Sequence, residues 1–488
     1  MNVKLDERYD LYINGTWVPA SDGRVFTTTN PATGEKLAEC AEATKEDVDA
    51  AVQAAWAAFP AWRDLEPDKR ADILLKIADV IDENKELLAT IESMDNGKPI
   101  RETMTIDVPY SSDHFRYFAG AIRTEEGTAS VLKDHVGHFM NIILHEPIGV
   151  VGQIVPWNFP FLMAAWKLAP ALAAGDCIVF KPSSTTSLSV LTLVKLIGHL
   201  LPPGVLNVVT GGGGRAGQYM LDHPGFRKLA FTGSTEVGRR FLEYAARSNL
   251  KRIVLELGGK SPFVVLDDVA DYAAVAAQAA AAAFWNMGEN CTANSRIIVP
   301  RKRKDAFTEA LLAELENWRI GDPLDPENNL GSIVSEGQFR TIMGYIEKGK
   351  AEGGHVLTGG APLAIGSGLF IPPTIFDGVT PDMTIVREEI FGPVTAILPA
   401  DSDEEAVGLA NATAYGLQAT LFTEDVTKAH KYARALKAGT VSVNCFSEGD
   451  NTTPFGGYKL SGFGGKDKGR ESHDQYTETK TIFLNLDR

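Results

Sequence analysis

Cys291 stands in the run Phe284-Trp285-Asn286-Met287-Gly288-Glu289-Asn290-Cys291-Thr292, a small and polar setting for a thiol, and Glu256 stands upstream in Leu255-Glu256-Leu257-Gly258-Gly259-Lys260. Together they offer a nucleophile and a base. The thiolate is the reactive form, and an unperturbed thiol is only a few per cent ionised at neutral pH, so such a cysteine needs a base or dipole beside it. Glycines near both residues let backbone N–H groups come close. The competing reading of Cys291 is a buried small hydrophobe, the commonest fate of a free cysteine. Three further runs suit a ligand: the first a pyrophosphate, the second a flat ring lying on bare backbone, the third a hydroxyl or phosphate. Phe231-Thr232-Gly233-Ser234-Thr235-Glu236-Val237-Gly238 follows a strand-like run and opens a helical one, where N–H groups and the helix dipole hold a pyrophosphate. Val209 to Gly214 is a glycine turn after a strand, and Lys181 falls at a strand's carboxyl end, where open α/β sheets bind ligands. The first run also reads as a plain strand-to-helix turn, and the second as an entropic loop.

These groups must be positioned by more than one domain, because 488 residues exceed what one hydrophobic core sustains. With 44% hydrophobic and 23% charged residues, the composition is that of compact globular domains. The net charge of −16 argues against nucleic-acid and anionic-membrane partners. Four scattered cysteines, Cys40, Cys177, Cys291 and Cys445, give neither a disulfide framework nor a thiolate metal site, and no His-Glu-x-x-His occurs. A reducing, cytoplasmic setting is expected. The amino terminus has no signal-peptide core, and the Ala-rich run 273–283 reads as a buried helix rather than a membrane span.

Along the chain, a strand-like opening at 11–18 leads to helical periodicity from Thr44, where Asp47 completes an approximate capping box, to about Arg123. β-branched runs follow at 138–144 and 148–155. Short apolar runs at 178–180, 205–209, 229–231 and 253–255 then alternate with helical stretches, the pattern of a doubly wound parallel sheet. A second alternation from Phe263 to Val443 implies a second α/β domain. The tail run Thr481-Ile482-Phe483-Leu484 has no evident partner in its own domain.

With Cys291, Glu256, Pro156-Trp157-Asn158-Phe159-Pro160, Phe231 to Gly238 and Glu388-Glu389-Ile390-Phe391-Gly392-Pro393 in one chain and in this order, the sequence resembles the NAD(P)-dependent aldehyde dehydrogenase superfamily over essentially its whole length. The resemblance implies an α/β fold with a Rossmann-like NAD(P)-binding domain at 1–124 and 147–258 and a catalytic domain at 259–460. It also implies a β-strand oligomerisation element at 125–146 and 461–488, serving a dimer or tetramer. It implies that Cys291 attacks an aldehyde, that Asn158 and the Cys291 N–H hold the oxyanion, and that Glu256 activates water to release a free acid. Lys167, next to Trp166, is a candidate proton relay or a surface lysine.

For NAD or NADP, the resemblance implies contacts from Ile154, Trp157, Lys181, Gly213, Phe231, Gly233, Ser234, Gly238, Glu389 and Phe391. Many NAD-preferring members carry a glutamate three residues after the lysine; here that position is Ser184, which removes a repulsion against a 2′-phosphate and admits NADP. Substrate positions are Phe159, Met163, Trp166, Trp285 and Phe455. Trp166 with Trp285 would form an aromatic box for an ammonium group, worth about 0.5–2 kcal/mol. The loop 445–455 resembles that of γ-glutamyl-aminobutyraldehyde and ω-aminoaldehyde dehydrogenases and adds Glu448 and Asp450, with Asp107 and Asp113 as further carboxylates at the tunnel mouth. An amino- or polar-tailed aldehyde is therefore expected; a broad-specificity or betaine-type aldehyde dehydrogenase, and a thiol esterase without redox chemistry, are the alternatives.

Overall fold

The computed structural model describes residues 3–487; the first two residues and the last, which the expected domain spans include, lie outside the described residues. Five parallel strands form the centre of an eight-stranded sheet, in the order Arg252–Glu256, Lys228–Thr232, Val150–Ile154, Cys177–Lys181, Leu206–Val208. Apart from Arg252 at one end, every residue of these strands is buried, so they read as continuous apolar runs, as sheets covered on both faces must. The chain lays down Val150–Ile154 first, adds two strands on one side, then crosses back to add Lys228–Thr232 and Arg252–Glu256 on the other. Beyond the carboxyl ends of Val150–Ile154 and Lys228–Thr232 this reversal leaves a crevice.

The helix Lys45–Arg63 covers one face of this sheet. It starts where the sequence indicates: Thr44 Oγ1 accepts from the Asp47 N–H, and Asp47 Oδ2 accepts from the Thr44 N–H at 2.8 Å. Such a cap contributes about 0.5–2 kcal/mol.

A seven-stranded sheet forms the second layered unit, in the order His355–Thr358, Thr374–Asp377, Val394–Ala400, Arg296–Pro300, Pro262–Val265, Gln418–Phe422, Thr440–Val443; all but the first are parallel. It has its own hydrophobic core. After this sheet the chain returns to the first one, where Gly462–Phe463 pairs antiparallel with Arg252–Glu256. The tail then finds the partner that the sequence did not reveal: Thr477–Asn485 pairs antiparallel with His138–Pro147, which also pairs with Thr128–Lys133. This three-stranded sheet exposes Val131, Leu132, Phe483 and Leu484. The Ala-rich run lies in the helix Tyr272–Phe284, half of whose residues are buried, and no helix among the described residues is long and apolar enough to cross a membrane.

Candidate active site

The crevice predicted by the strand order is occupied by chemistry. Pro156 to Asn158 follow the strand Val150–Ile154, Gly233 and Ser234 follow Lys228–Thr232, and Glu256 ends its own strand. The second unit brings Asn290 and Cys291 against them, and all line one cleft of about 240 Å³.

Cys291 reaches the cleft through an irregular turn. After the helix Tyr272–Phe284, Asn286 and Met287 adopt left-handed backbone angles (φ 53° and 55°), a conformation that costs non-glycine residues about 1–3 kcal/mol and needs support. The support is Asn286 itself: its Nδ2 donates to the carbonyls of Asn158 at 3.1 Å and Glu289 at 2.8 Å. Gly259 passes so close beneath Cys291 that a Cβ there would collide with the Cys291 carbonyl oxygen. Asn158 is buried, and its side-chain Nδ2 donates to the Glu289 carbonyl at 3.0 Å, which fixes the amide and leaves it a second N–H.

Sequence reasoning missed what holds the Asn158 backbone. Lys98, fully buried, donates from Nζ to the Asn158 carbonyl at 2.9 Å, pairs with the equally buried Asp107 at 2.6 Å, and lies 3.8 Å from the centre of the Phe159 ring. A signal existed: Gly97 caps a helix at φ 92° and Pro99 follows, so Lys98 sits at a fixed chain reversal.

Burial raises the Cys291 thiol well above its ordinary pKa, and the charges of Glu448, Glu389 and Glu256 raise it further. Alkylation of Cys291 by iodoacetamide should therefore rise with pH, with a midpoint above that of a free thiol. A Glu448→Gln enzyme, lacking one anion, stabilises the thiolate, so its midpoint should move to lower pH; a move to higher pH would contradict this electrostatic picture.

Glu256 is also raised well above the carboxylate range, first by burial and then by Asp467, against the pull of Lys167 and Lys466. Neither of its oxygens holds a side-chain hydrogen bond. Lys167 is not at the surface: it is completely buried and bonds Asp467 Oδ2 at 2.9 Å. Asp467, from the segment returning to the first sheet, itself lines the cleft.

Of the expected cofactor residues, Trp157, Gly233, Ser234, Glu389 and Phe391 line the cleft, with the Trp157 and Phe391 rings 5.2 Å apart and nearly perpendicular. Ser234 caps the helix Thr235–Arg247 by accepting from the Val237 N–H, so that the helix's first N–H groups and its dipole end face the cleft region. Glu389 Oε1 accepts from the Gly259 N–H at 2.8 Å, its carboxyl filling the space a Cβ on Gly258 would need; burial raises its pKa to about 7. Ile154 and Lys181 are buried at adjacent strand ends, Lys181 donating to the Pro182 carbonyl at 3.0 Å and lowered by burial to about 8. Ser184 borders a second groove with Glu42 and Gly212, and Gly213 next to it is exposed with open space above its Cα.

Phe231 stacks on Phe241 at 4.4 Å and Gly238 packs under Leu255 and Leu257, so both join helix to sheet, and neither is among the residues that line the cleft. The remaining set suits a dinucleotide: a glycine-lined helix start, an aromatic pair and an open groove beyond. Glu42, half-buried beside Gly211 and Gly212 and 3.8 Å from Arg215, is a charge that the sequence reading overlooked.

On the substrate side, Phe159, Met163, Trp166, Phe455 and Glu448 line the cleft. Trp285 is not among them, and Trp166 packs with Phe455 at 5.2 Å and His114 at 6.4 Å. Nor is Asp450: it is exposed, and its carboxylate accepts from the Thr452 N–H and hydroxyl. Asp107 is spent on Lys98, and Asp113 accepts from Asn451 Nδ2 at 2.6 Å, tying the loop to the helix Val108–Ile122. Glu448 is held by the Thr292 hydroxyl, one residue from the thiol.

The sequence model of the aldehyde dehydrogenase family matches residues 17–482. Aminoacetaldehyde dehydrogenase of Pseudomonas aeruginosa is 47% identical over 484 residues, covering 98% of this chain and 96% of that protein. The solved γ-glutamyl-γ-aminobutyraldehyde dehydrogenase of Burkholderia cenocepacia superposes with a TM-score of 0.95 at 45% identity, covering 99% of this chain and 97% of that one. The indole-3-acetaldehyde dehydrogenase of P. syringae, solved with NAD+, gives 0.96 at 39% identity, covering 99% and 98%.

Proposed function

The chain belongs to the aldehyde dehydrogenase family, and we propose that it oxidises short aldehydes bearing a primary amino group to their free amino acids, using Cys291 as nucleophile and Glu256 as base. When bound, the nicotinamide of NAD or NADP supplies the acceptor for the aldehyde hydrogen. Cys291 Sγ bonds the carbonyl carbon, while the second N–H of Asn158 and the Cys291 backbone N–H donate to the oxygen. Glu256 then takes a proton from the water that cleaves the thioester, releasing acid and thiol. The Lys167–Asp467 pair lies next to Glu256 and serves to pass that proton on.

The observation that carries the substrate class is charge. Of the four carboxyls that line the cleft, Glu256 and Glu389 are raised toward their neutral form and Asp467 is paired with Lys167, so Glu448 is the anion that faces a substrate, and no lysine, arginine or histidine stands among the described lining residues. An aldehyde with a cationic end is drawn into such a field. The aldehydes named for two of the relatives above are also amino-bearing or amino-derived. Neutral Ser184 leaves NADP acceptable, while the NAD+ held by a relative supports NAD.

The first sheet with its helices would be the cofactor domain (1–124 and 147–258) and the second the catalytic one (259–460). The exposed apolar face and open edges of the three-stranded sheet would serve assembly as a dimer or tetramer. Four unpaired cysteines suit a reducing compartment, the cytoplasm.

Glu448→Gln should raise KM for 3-aminopropanal about tenfold, equivalent to about 1.4 kcal/mol, and leave propanal within twofold. Asp450→Asn should change neither, since that side chain faces solvent. Equal effects of Glu448→Gln on both aldehydes would defeat the amino-aldehyde reading.

A further inference from the structure

Trp166 and Phe455 form an aromatic corner of the cleft, and a quaternary ammonium, which has no N–H to donate, could be held only by such faces. In this chain a lysine already uses them. Lys468 Nζ lies 5.1 Å from the Trp166 ring centre and 5.5 Å from that of Phe455, while donating to the Glu448 backbone carbonyl at 2.7 Å. Its residue is 2% exposed and held at φ 58°, a left-handed angle kept only where surroundings enforce it. Lys468 is not among the residues that line the cleft, while its ammonium stays within reach of both rings.

From this arrangement we infer that Lys468 is the specificity-determining residue that makes the site read a primary ammonium through Glu448 and disfavour a quaternary one. Two effects act together. A resident cation takes up the attraction of the rings and repels a second cation brought against them. Its hydrogen bond also fixes the backbone of Glu448, whose carboxylate is anchored at Thr292, so a substrate N–H finds its acceptor near the thiol. Asp467, Asp450 and Glu448 surround Lys468 and keep the corner from becoming repulsive overall.

The inference rests on the amino-aldehyde reading but fails separately from it. The test measures kcat/KM for 3-aminopropanal, trimethylammonioacetaldehyde and propanal with the parent enzyme, Lys468→Met and Lys468→Arg, with melting curves to establish folding. The parent should favour the primary over the quaternary aldehyde, Lys468→Met should shift that ratio about tenfold toward the quaternary one, and Lys468→Arg should keep it near the parent's. A parent that takes both cations equally, a measurement needing no variant, would overturn the inference. So would a folded Lys468→Met enzyme whose ratio stays within twofold of the parent's. If Glu448→Gln still raises KM for 3-aminopropanal while sparing propanal in either case, the amino-aldehyde class stands and only the role of Lys468 falls.

Discussion

Replacing Cys291 by alanine should cut aldehyde-dependent reduction of NAD+ by at least roughly 10⁴-fold, because the difficult step is divided in two only when a nucleophile joins the carbonyl carbon. The cleft should survive the change. Cys291 is half-buried, and the turn that carries it is fixed by Asn286 and not by the thiol. Titration of NAD+ by fluorescence should therefore give a Kd close to the parent's. An alanine enzyme that loses activity together with NAD+ binding would point to collapse of the site, and one that keeps activity would remove Cys291 from the chemistry.

The second large effect belongs to Glu256. A Glu256→Gln enzyme mixed with NAD+ and saturating aldehyde should release a burst of reduced nicotinamide close to one per active site, then turn over about 10²–10⁴-fold more slowly. The burst separates two roles. If Glu256 acts on water, acylation proceeds and the thioester waits; if it acts chiefly on the thiol, the burst itself slows. The raised pKa of Glu256 adds a pH signature: only the ionised carboxylate accepts a proton, so parent turnover should climb with pH through a range well above that of an ordinary glutamate. Glu256→Gln should remove that limb from the profile.

What the sequence disclosed and what it hid divide along chain distance. Cys291, Glu256 and Gly233 belong to short runs whose residue types suggest a role, Asn158 and Trp157 were pointed to only by the family resemblance, and all of them line the cleft. The doubly wound sheet was legible because its strands, buried on both faces, are apolar without interruption. Lys98, Asp467 and Lys468 were not legible as site residues, since each acts through a partner far along the chain: Lys98 on Asn158 sixty positions away, Lys167 on Asp467 three hundred. No periodicity encodes such pairs. Trp285 is not among the residues that line the cleft, and the left-handed pair after it, Asn286 and Met287, is a turn that helical periodicity cannot anticipate. Phe231 and Gly238 sit inside a ligand-binding run yet serve packing, because a strand and helix that meet at a ligand must also meet each other.

The covalent claim is open to direct weighing. Glu256→Gln enzyme quenched in acid a few seconds after mixing with NAD+ and 3-aminopropanal should carry, on the peptide containing Cys291, the added mass of a 3-aminopropanoyl group at close to one per chain. An unmodified Cys291 peptide during rapid formation of reduced nicotinamide would contradict the account.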